Sequence, residues 1–388
     1  MSQTLEREEP HYFGAGPAVL PTSVLQQAAY DLINYQGIGL GVGEISHRSG
    51  PANDVIENTK KHFKELLSIP DTHEVFFLQG GGTSGFSSIA TNLLASYVKK
   101  TGKKGKGAYA ITGSWSKKAY EEAERLGVET EVLTDSKKVY GSFGKIQPVS
   151  EWKQPDPKDT AYVYYCDNET VNGVEFQSEP QFEGIEIVAD LSSNILSRKV
   201  DVSKYGLILA GAQKNVGLAG LTVYIIKNSL LEQASDDELK ALNAPLSPIA
   251  FHYPTVVKNN SAYNTIPIFT LHILDLVLQN LIKQGGLTTQ QEINERKAKK
   301  LYEVLDQYPQ LFNLPVDKSV RSNMNVVFTI NGEGLEESFL KEAGEAKLTG
   351  LKGHRSVGGI RASLYNAVTE ETVDLLVDFV KKFAEAHK

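Results

Sequence analysis

The sequence predicts an α/β protein built on a mixed sheet, with a smaller α+β unit toward its C-terminus. Three observations carry this. The stretch 185–226 holds three short apolar runs, Ile185–Ala189, Gly206–Ala210 and Leu221–Ile226, each of strand length and bounded by polar or glycine breakers. Such unrelieved runs fit strands covered on both faces. The run Glu74–Gln79 passes straight into GGGTSGF and an apolar helix, SSIATNLLASYV. Beyond residue 285, helix and strand patterns alternate to the end of the chain. Only residues 211–220 join the second apolar run to the third. A parallel crossover needs about a dozen residues or more, so the third strand is expected to run antiparallel.

The elements follow in order. Residues 1–11 are polar and read as a tail or arm. FGAGPAVLP, residues 13–21, is a tight irregular turn, after which Thr22 or Ser23 is expected to cap the helix VLQQAAYDLINY. GLGVGEISHRSG, residues 39–50, is too glycine-rich for regular structure and sets His47 beside Arg48. A helix pattern covers about 52–67. The strand, glycine turn and helix at 74–98 are the arrangement that aims free amides and a helix dipole at a phosphate. The GxGxxG spacing of dinucleotide folds is absent. Strand GAYAIT, 107–112, leads to a helix with Ser114 or Ser116 as cap. Trp115 opens that helix, where a flat ring can stack on a flat ligand, although tryptophan is more often core.

Residues 135–160 read as surface. AYVYYCDNETVNGVEF, 161–176, is a strand and a polar turn, in which Asn168, Glu169 and Thr170 plainly read as turn caps. Residues 229–250 mix helix and loop. Thr265 is a candidate cap before Ile266-Pro267 and the long apolar helix 268–284. Helix 288–306, strand 323–330, helix 334–343, strand 358–365 and helix 370–386 complete the chain. Arg361, among apolar neighbours in the last strand, needs a partner: a substrate carboxylate or a structural salt bridge. His354 and Arg355, in GHRSVGG, repeat the His-Arg pair. Either pair can be a solvated surface pair, but two cationic loops in an acidic chain point to an anion site.

Composition bounds the function. The chain has 388 residues, 22% charged and 41% hydrophobic, the balance of a soluble globular protein with room for two domains. A net charge of −7 argues against a general nucleic-acid partner. The single cysteine, Cys166, excludes a disulfide framework within the chain, points to a reducing compartment, and reads as a buried inert thiol. MSQTLEREEP lacks the apolar core of a signal segment, and no apolar run approaches membrane-spanning length. A cytoplasmic protein without membrane partner or metal is expected.

The chemistry centres on Asp190, which follows the first apolar run, and Lys214, which follows the second within GAQKN. Both belong at the carboxyl edge of the sheet, where open α/β folds bind ligands. A lone lysine there is usually solvated. Here Gly211, Gly217 and Gly220 leave room for a flat ligand, and Ser192, Ser193 and Asn194 are small hydrogen-bonding groups. One chemistry needs both charges. A lysine holds pyridoxal phosphate as a Schiff base, and a carboxylate keeps the pyridine nitrogen protonated. The glycine turn at Gly82 and Thr83 then suits the cofactor phosphate.

SSNILSRKVDVSKYGLILAGAQKN resembles the cofactor-lysine segment of the phosphoserine aminotransferase family, class V enzymes of pyridoxal phosphate fold-type I. ISHRS, YCDNETVNGVEF, YNTIP and GHRSVGGIRASLYNA match the same family, so the resemblance spans essentially the whole chain. It departs at Gly41 and Gly43, where the family usually carries bulkier residues, and at Ser84-Gly85, where it usually has Gly-Gln. The resemblance implies a mixed, mostly parallel seven-stranded sheet with helices on both faces, plus a smaller α+β C-terminal domain. It implies an N-terminal arm, 1–15, packing with the small domain; a large cofactor domain, 16–264; and a small domain, 265–388.

The resemblance also implies roles. Lys214 and Asp190 are catalytic. Gly82, Thr83, Trp115, Thr170 and Gln213 join them around the cofactor, with Trp115 stacked on its ring, Thr170 on its ring oxygen, and FGAGP bordering the site. Asn264 and Thr265 reach the cofactor phosphate from a partner subunit. His47, Arg48, His354 and Arg355 hold the distal anion of the substrate, and Arg361 its α-carboxylate. The implied reaction is ping-pong transfer of the amino group of L-glutamate to 3-phosphohydroxypyruvate. It gives O-phospho-L-serine and 2-oxoglutarate, a step of serine biosynthesis, in a homodimer with shared active sites. Rival readings are an alanine–glyoxylate aminotransferase, a cysteine desulfurase, for which Cys166 at a strand end is poorly suited, and a non-catalytic relative, against which Asp190 and Lys214 argue together.

Overall fold

The computed structural model describes residues 6–387. Helices α1 (Thr22–Asp31) and α2 (Gly50–Leu67) precede β1 (His73–Gly80), α3 (Gly82–Thr101), β2 (Lys106–Ile111), α4 (Ser114–Arg125), β3 (Glu129–Asp135) and α5 (Ser136–Tyr140). Strand β4 (Thr160–Cys166) runs into a small hairpin, β5 (Asn168–Glu169) and β6 (Val174–Glu175), and then β7 (Glu186–Asp190), β8 (Leu207–Gly211) and β9 (Gly220–Lys227). After α6 (Asp236–Ala241), α7 (Tyr253–Lys258), α8 (Ile268–Lys283) and α9 (Gly286–Asp306) come β10 (Phe312–Asn313), β11 (Asn325–Ile330), α10 (Leu335–Glu345), β12 (Ile360–Ser363) and α11 (Glu370–Ala386).

The large sheet has seven strands in the order β1-β9-β8-β7-β4-β2-β3. Strands β8, β7, β4, β2 and β3 are parallel, while β9 runs antiparallel to both β8 and β1. This is the mixed, mostly parallel sheet expected, and the short 211–220 connection is the reason β9 turns back. Side chains alternate between two apolar layers. Val75, Phe77, Val163, Ile187, Ile208 and Val223 face α2 and α8. Phe76, Tyr109, Tyr162, Tyr164, Val188, Leu209 and Tyr224 face α3 and α4. Burial on both faces explains why these strands read as continuous apolar runs.

The smaller C-terminal domain carries the antiparallel sheet β10-β11-β12. Phe339 on α10 is at its centre, ringed by Phe312, Phe328, Phe379 and Phe383. The expected boundary at 264/265 assigns α8 to this domain. By packing, α8 belongs with the large sheet, because Ile268, Leu271, Leu274, Leu278 and Leu281 lie in its core. The apolar contacts change sides within α9, where Leu287 joins the large core and Ala298 and Leu301 the small one.

Other expectations need correction. Among the described residues no side chain caps α1: Pro21 occupies the cap position, and the Thr22 hydroxyl accepts from Arg7 Nε at 3.0 Å and donates to Glu9 at 3.2 Å. Of the polar stretch 1–11, residues 1–5 lie outside the described residues, and Arg7, Glu8, Glu9 and His11 each have a hydrogen-bond partner. His11 Nδ1 is 3.0 Å from Thr372 Oγ1, Tyr12 bridges Thr349, and Phe13 is fully buried in the small-domain core. Thr265 does not cap α8, whose cap position holds Pro267. The stretch 135–160 is not all surface. It contains α5 and a buried Trp152 whose Nε1 donates to Gln147 O at 2.8 Å. The edge strand β3, with polar residues at most positions, is missed altogether by apolar patterning.

One buried charge shapes the domain junction. Lys297 on α9 is fully buried, and its Nζ donates to the carbonyls of Leu364, Tyr365 and Val368 at 3.0, 3.0 and 2.9 Å. Three ammonium donors meet three acceptors, which pins the segment after β12. Lys297→Met removes a donor from all three carbonyls, of which Tyr365 O still accepts from Val368 N at 2.9 Å. It is expected to cost about 3 kcal/mol, read as a lower urea midpoint for the small domain.

Candidate active site

A cavity of about 160 Å³ opens at the carboxyl edge of the large sheet. Gly82, Thr83, Trp115, Thr170, Asp190, Gln213 and Lys214 all line it, joined by Phe86, Cys166, Asn168, Ser192 and Ser193. Parallel pairing brings them there: Cys166 on β4 sits opposite Asp190 on β7, and Asp190 opposite Leu209 on β8. A larger cleft of about 590 Å³, between α8, α9 and the 366–371 segment, shares only Lys214 with it and contains none of the other expected site residues.

Lys214 is the centre of the cavity. Its Nζ donates to Thr170 Oγ1 at 2.7 Å and lies 6.0 Å from the centroid of the Trp115 ring. Burial lowers its pKa to about 8, and the negative charge of Asp190 works against that fall. The FGAGP turn closes one side. Gly16 lies against the Lys214 side chain with φ of +134°, a backbone conformation open to glycine, and Ala18 N donates to Gln213 O at 2.9 Å. The Asp190 carboxylate accepts from Ser192 N at 2.8 Å. Burial raises its pKa, while the Ser192 hydrogen bonds and Lys214 pull it back.

Helix α3 reaches the cavity with unspent amides. Its first backbone bond runs from Gly85 N to Gly81 O, so the Gly82 and Thr83 amides are not used within the helix. Ser84 Oγ closes the preceding turn, accepting from Gly81 N and donating to Gly81 O. Gly85 lets α3 lie close on β8, since a Cβ there would come within 2.7 Å of Leu209 Cδ1. Ser84 and Gly85 therefore build the turn with different chemistry from the usual family pair.

Helix α4 is capped from outside. Glu169 Oε2 accepts from Trp115 N at 2.8 Å, and Oε1 accepts from Ser116 N at 2.8 Å and Ser116 Oγ at 2.6 Å. Neither Ser114 nor Ser116 is the cap residue, which is Gly113; Ser116 Oγ instead accepts from the amides of Thr112 and Gly113. A Cβ on Gly113 would meet Glu169 Cδ at 2.3 Å. Burial raises the Glu169 carboxyl to about pH 7, and the Ser116 and Trp115 donors restrain that rise. Glu169 thus fixes the turn that presents Trp115. Sequence reading left it as a turn residue, because nothing local tells a buried glutamate in a polar turn from a solvated one.

The cationic residues are less tightly gathered. Arg361 on β12 is half-buried, donates from Nη1 to Thr170 O at 3.3 Å, and has no carboxylate in ion-pair distance among the described residues. The structural salt bridge is therefore not its role. His354 Nδ1 lies 2.7 Å from Ser356 Oγ, and burial, then Arg361, Lys118 and Arg355, lower its pKa. Arg355 is exposed. His47, Arg48, Asn264 and Thr265 do not line the cavity within one chain. Arg48, Asn264 and Thr265 are exposed, and His47 Nε2 is buried without a partner among the described residues.

The geometry has close counterparts. A sequence model of the family described as aminotransferase class-V matches residues 11–376. The chain is 62% identical to phosphoserine aminotransferase of Saccharomyces cerevisiae over 391 residues, covering 98% of this chain and 99% of that relative. The solved phosphoserine aminotransferase from Bacillus circulans subsp. alkalophilus matches with a TM-score of 0.89 at 36% identity, covering 98% of this chain and 100% of that one. The PLP-bound phosphoserine aminotransferase from Trichomonas vaginalis matches with a TM-score of 0.84 at 35% identity, covering 96% and 99%.

The buried charges generate three expected outcomes. Below a pKa of about 8 the Lys214 amine is mostly protonated, so its acetylation rate in ligand-free protein rises through pH 8 and then levels. Asp190→Asn removes a charge that favours the ammonium and shifts the inflection lower; competitive labelling with acetic anhydride reads both. Glu169→Ala strands the Trp115 and Ser116 amides and is expected to cost about 2 kcal/mol by urea denaturation, with Glu169→Gln milder.

Proposed function

The chain belongs to the class V aminotransferases and, among them, to the phosphoserine aminotransferases, and we propose that it transfers the amino group of L-glutamate to 3-phosphohydroxypyruvate. The products are O-phospho-L-serine and 2-oxoglutarate, which makes this a step of serine biosynthesis. The observation that carries the reading is the convergence of Lys214, Asp190, Trp115 and the amino end of α3 on one cavity. The alanine–glyoxylate reading is not favoured against 62% identity to a phosphoserine enzyme over the whole chain.

The donor set fits pyridoxal phosphate, the cofactor of this family. Lys214 offers an amine for its aldehyde carbon, Asp190 a carboxylate for its ring nitrogen, and Trp115 a flat face. Thr170 offers a hydroxyl for its ring oxygen, Gln213 borders the amine, and Gly82 and Thr83 offer unspent amides for its phosphate. When bound, the cofactor supplies an electron sink for the negative charge that develops on the substrate Cα.

Each residue then has a physical task. Lys214, whose burial lowers its pKa toward neutrality, carries the proton taken from the substrate Cα. Asp190, fixed by the Ser192 amide, holds a proton on the ring nitrogen. Arg361, uncommitted to any acid among the described residues, binds the α-carboxylate common to both substrates. His354 and Arg355 bind the distal anion, together with His47 and Arg48 from a second subunit.

A homodimer with shared active sites completes this reading. It is supported by the exposed Asn264 and Thr265, assigned to the cofactor phosphate of the partner, by the unpartnered His47 Nε2, and by exposed apolar residues nearby in the chain, Tyr30, Ile33 and Tyr263. A cytoplasmic location accords with the single buried thiol, Cys166. No helix among the described residues is long and apolar enough to cross a membrane.

Wild type and Lys214→Ala, compared by visible spectrum and by glutamate-dependent amination of 3-phosphohydroxypyruvate, test the proposal. The mutant is expected to lose the lysine-linked cofactor band and at least about 100-fold in turnover. A wild type that binds the cofactor but ignores the phosphorylated oxoacid would sink the substrate reading.

A further inference from the structure

Lys118 stands three residues after Trp115 on α4, and helical spacing puts the two on one face. Its Nζ lies 4.4 Å from the centroid of the Trp115 ring. The neighbouring Lys117 points elsewhere and pairs with Glu121. Lys118 forms no ion pair or hydrogen bond among the described residues; its contact is the indole of the cavity wall. It lies close enough for its charge to act on His354 along with those of Arg361 and Arg355. Lys118, Arg355 and Arg361 thus place positive charge around the His354 ring beside the cavity, and like charges so arranged repel unless an anion joins them.

We propose that Lys118 is a specificity residue for the phosphorylated substrate, contributing a positive charge to the distal-anion end of the site beyond the two His-Arg loops. This rests on the reaction proposed above. A phosphomonoester carries about −1.5 to −2 charges near neutral pH, whereas the distal group of glutamate carries one. An added cation therefore stabilises the bound phospho-oxoacid more than bound glutamate. The long flexible stem of Lys118, resting on the Trp115 ring, keeps its ammonium at the rim and within reach of an incoming anion.

The test measures the two half-reactions of the holoenzyme separately, in wild type, Lys118→Gln, Lys118→Glu and Lys118→Arg. In Lys118→Gln, kcat/KM for 3-phosphohydroxypyruvate is expected to fall roughly 5- to 20-fold, mainly through KM, and that for glutamate less than about 3-fold. Lys118→Glu loses more and Lys118→Arg recovers most of the loss. The defect shrinks at about 0.5 M salt, because an exposed charge is screened. Titration with O-phospho-L-serine should show the same weakening and salt dependence. Equal losses in both half-reactions, insensitive to salt, would show that Lys118 merely packs on Trp115 and would overturn the proposal. Unchanged kinetics would overturn it too. If wild type accepts glutamate but not the phosphorylated oxoacid, the reaction proposed above fails first, an outcome visible without any variant.

Discussion

Lateral pairing of β7 with β4 and β8 decides where charge can sit in this protein. β4 and β7 end level, with Cys166 opposite Asp190, and β8 runs past Leu209, the partner of Asp190, to Gly211, so all three strands finish at one edge. Everything beyond that edge must satisfy the groups the strands leave there. Asp190 finds the Ser192 amide, the Gly211 amide finds Ser192 Oγ at 2.9 Å, and Lys214 finds Thr170. The sheet interior supplies no countercharge, so a buried amine and a buried carboxylate are tolerable only close to one another and to these small polar groups.

A second buried network lies behind the cavity and holds the β5–β6 hairpin in place. Arg198 pairs with Asp167 and lies 3.5 Å from Glu175. Burial disfavours all three charges. For Arg198 the two acids outweigh that penalty and its pKa is raised. Asn194 Nδ2 donates to both acids, and Glu175 also accepts from Asn323 N at 2.8 Å. Held this way, the hairpin presents Asn168, Glu169 and Thr170 toward the site. Such a network specifies one arrangement more than it adds stability. Its role here is geometric, since Glu169 sets α4 and Thr170 meets both Lys214 and Arg361.

The small domain is joined to this edge by polar contacts, not only by apolar packing. Asn168 Nδ2 donates to Asn325 Oδ1, Asn325 Nδ2 donates to Ser363 Oγ, and the Tyr365 hydroxyl donates to Ala15 O. Asn366 N donates to Asn215 Oδ1, beside Lys214. Lys297 anchors the carbonyls of the same segment from below. Arg361 is thereby placed by its own strand and by its bond to Thr170 O across the domain junction.

Much of this was legible in the chain itself. Apolar runs covered on both faces announced the central strands. The ten-residue connection required β9 to turn back, and the glycine turn before α3 announced unspent amides. Asp190 and Lys214 were legible because buried strands ending in opposite charges are rare without a use. What local pattern could not supply was partnership across distant segments. Glu169 caps a helix whose first residue lies fifty-five positions earlier, Pro21 and Pro267 displaced the side-chain caps expected at α1 and α8, and α8 joined the large core despite its place in the chain. Lys117 and Lys118 are indistinguishable as neighbours in sequence, yet one faces Glu121 and the other Trp115. Strand and helix periods reside in local sequence. The identity of the group that satisfies a buried donor or an unpaired charge is decided only when the fold brings remote residues together.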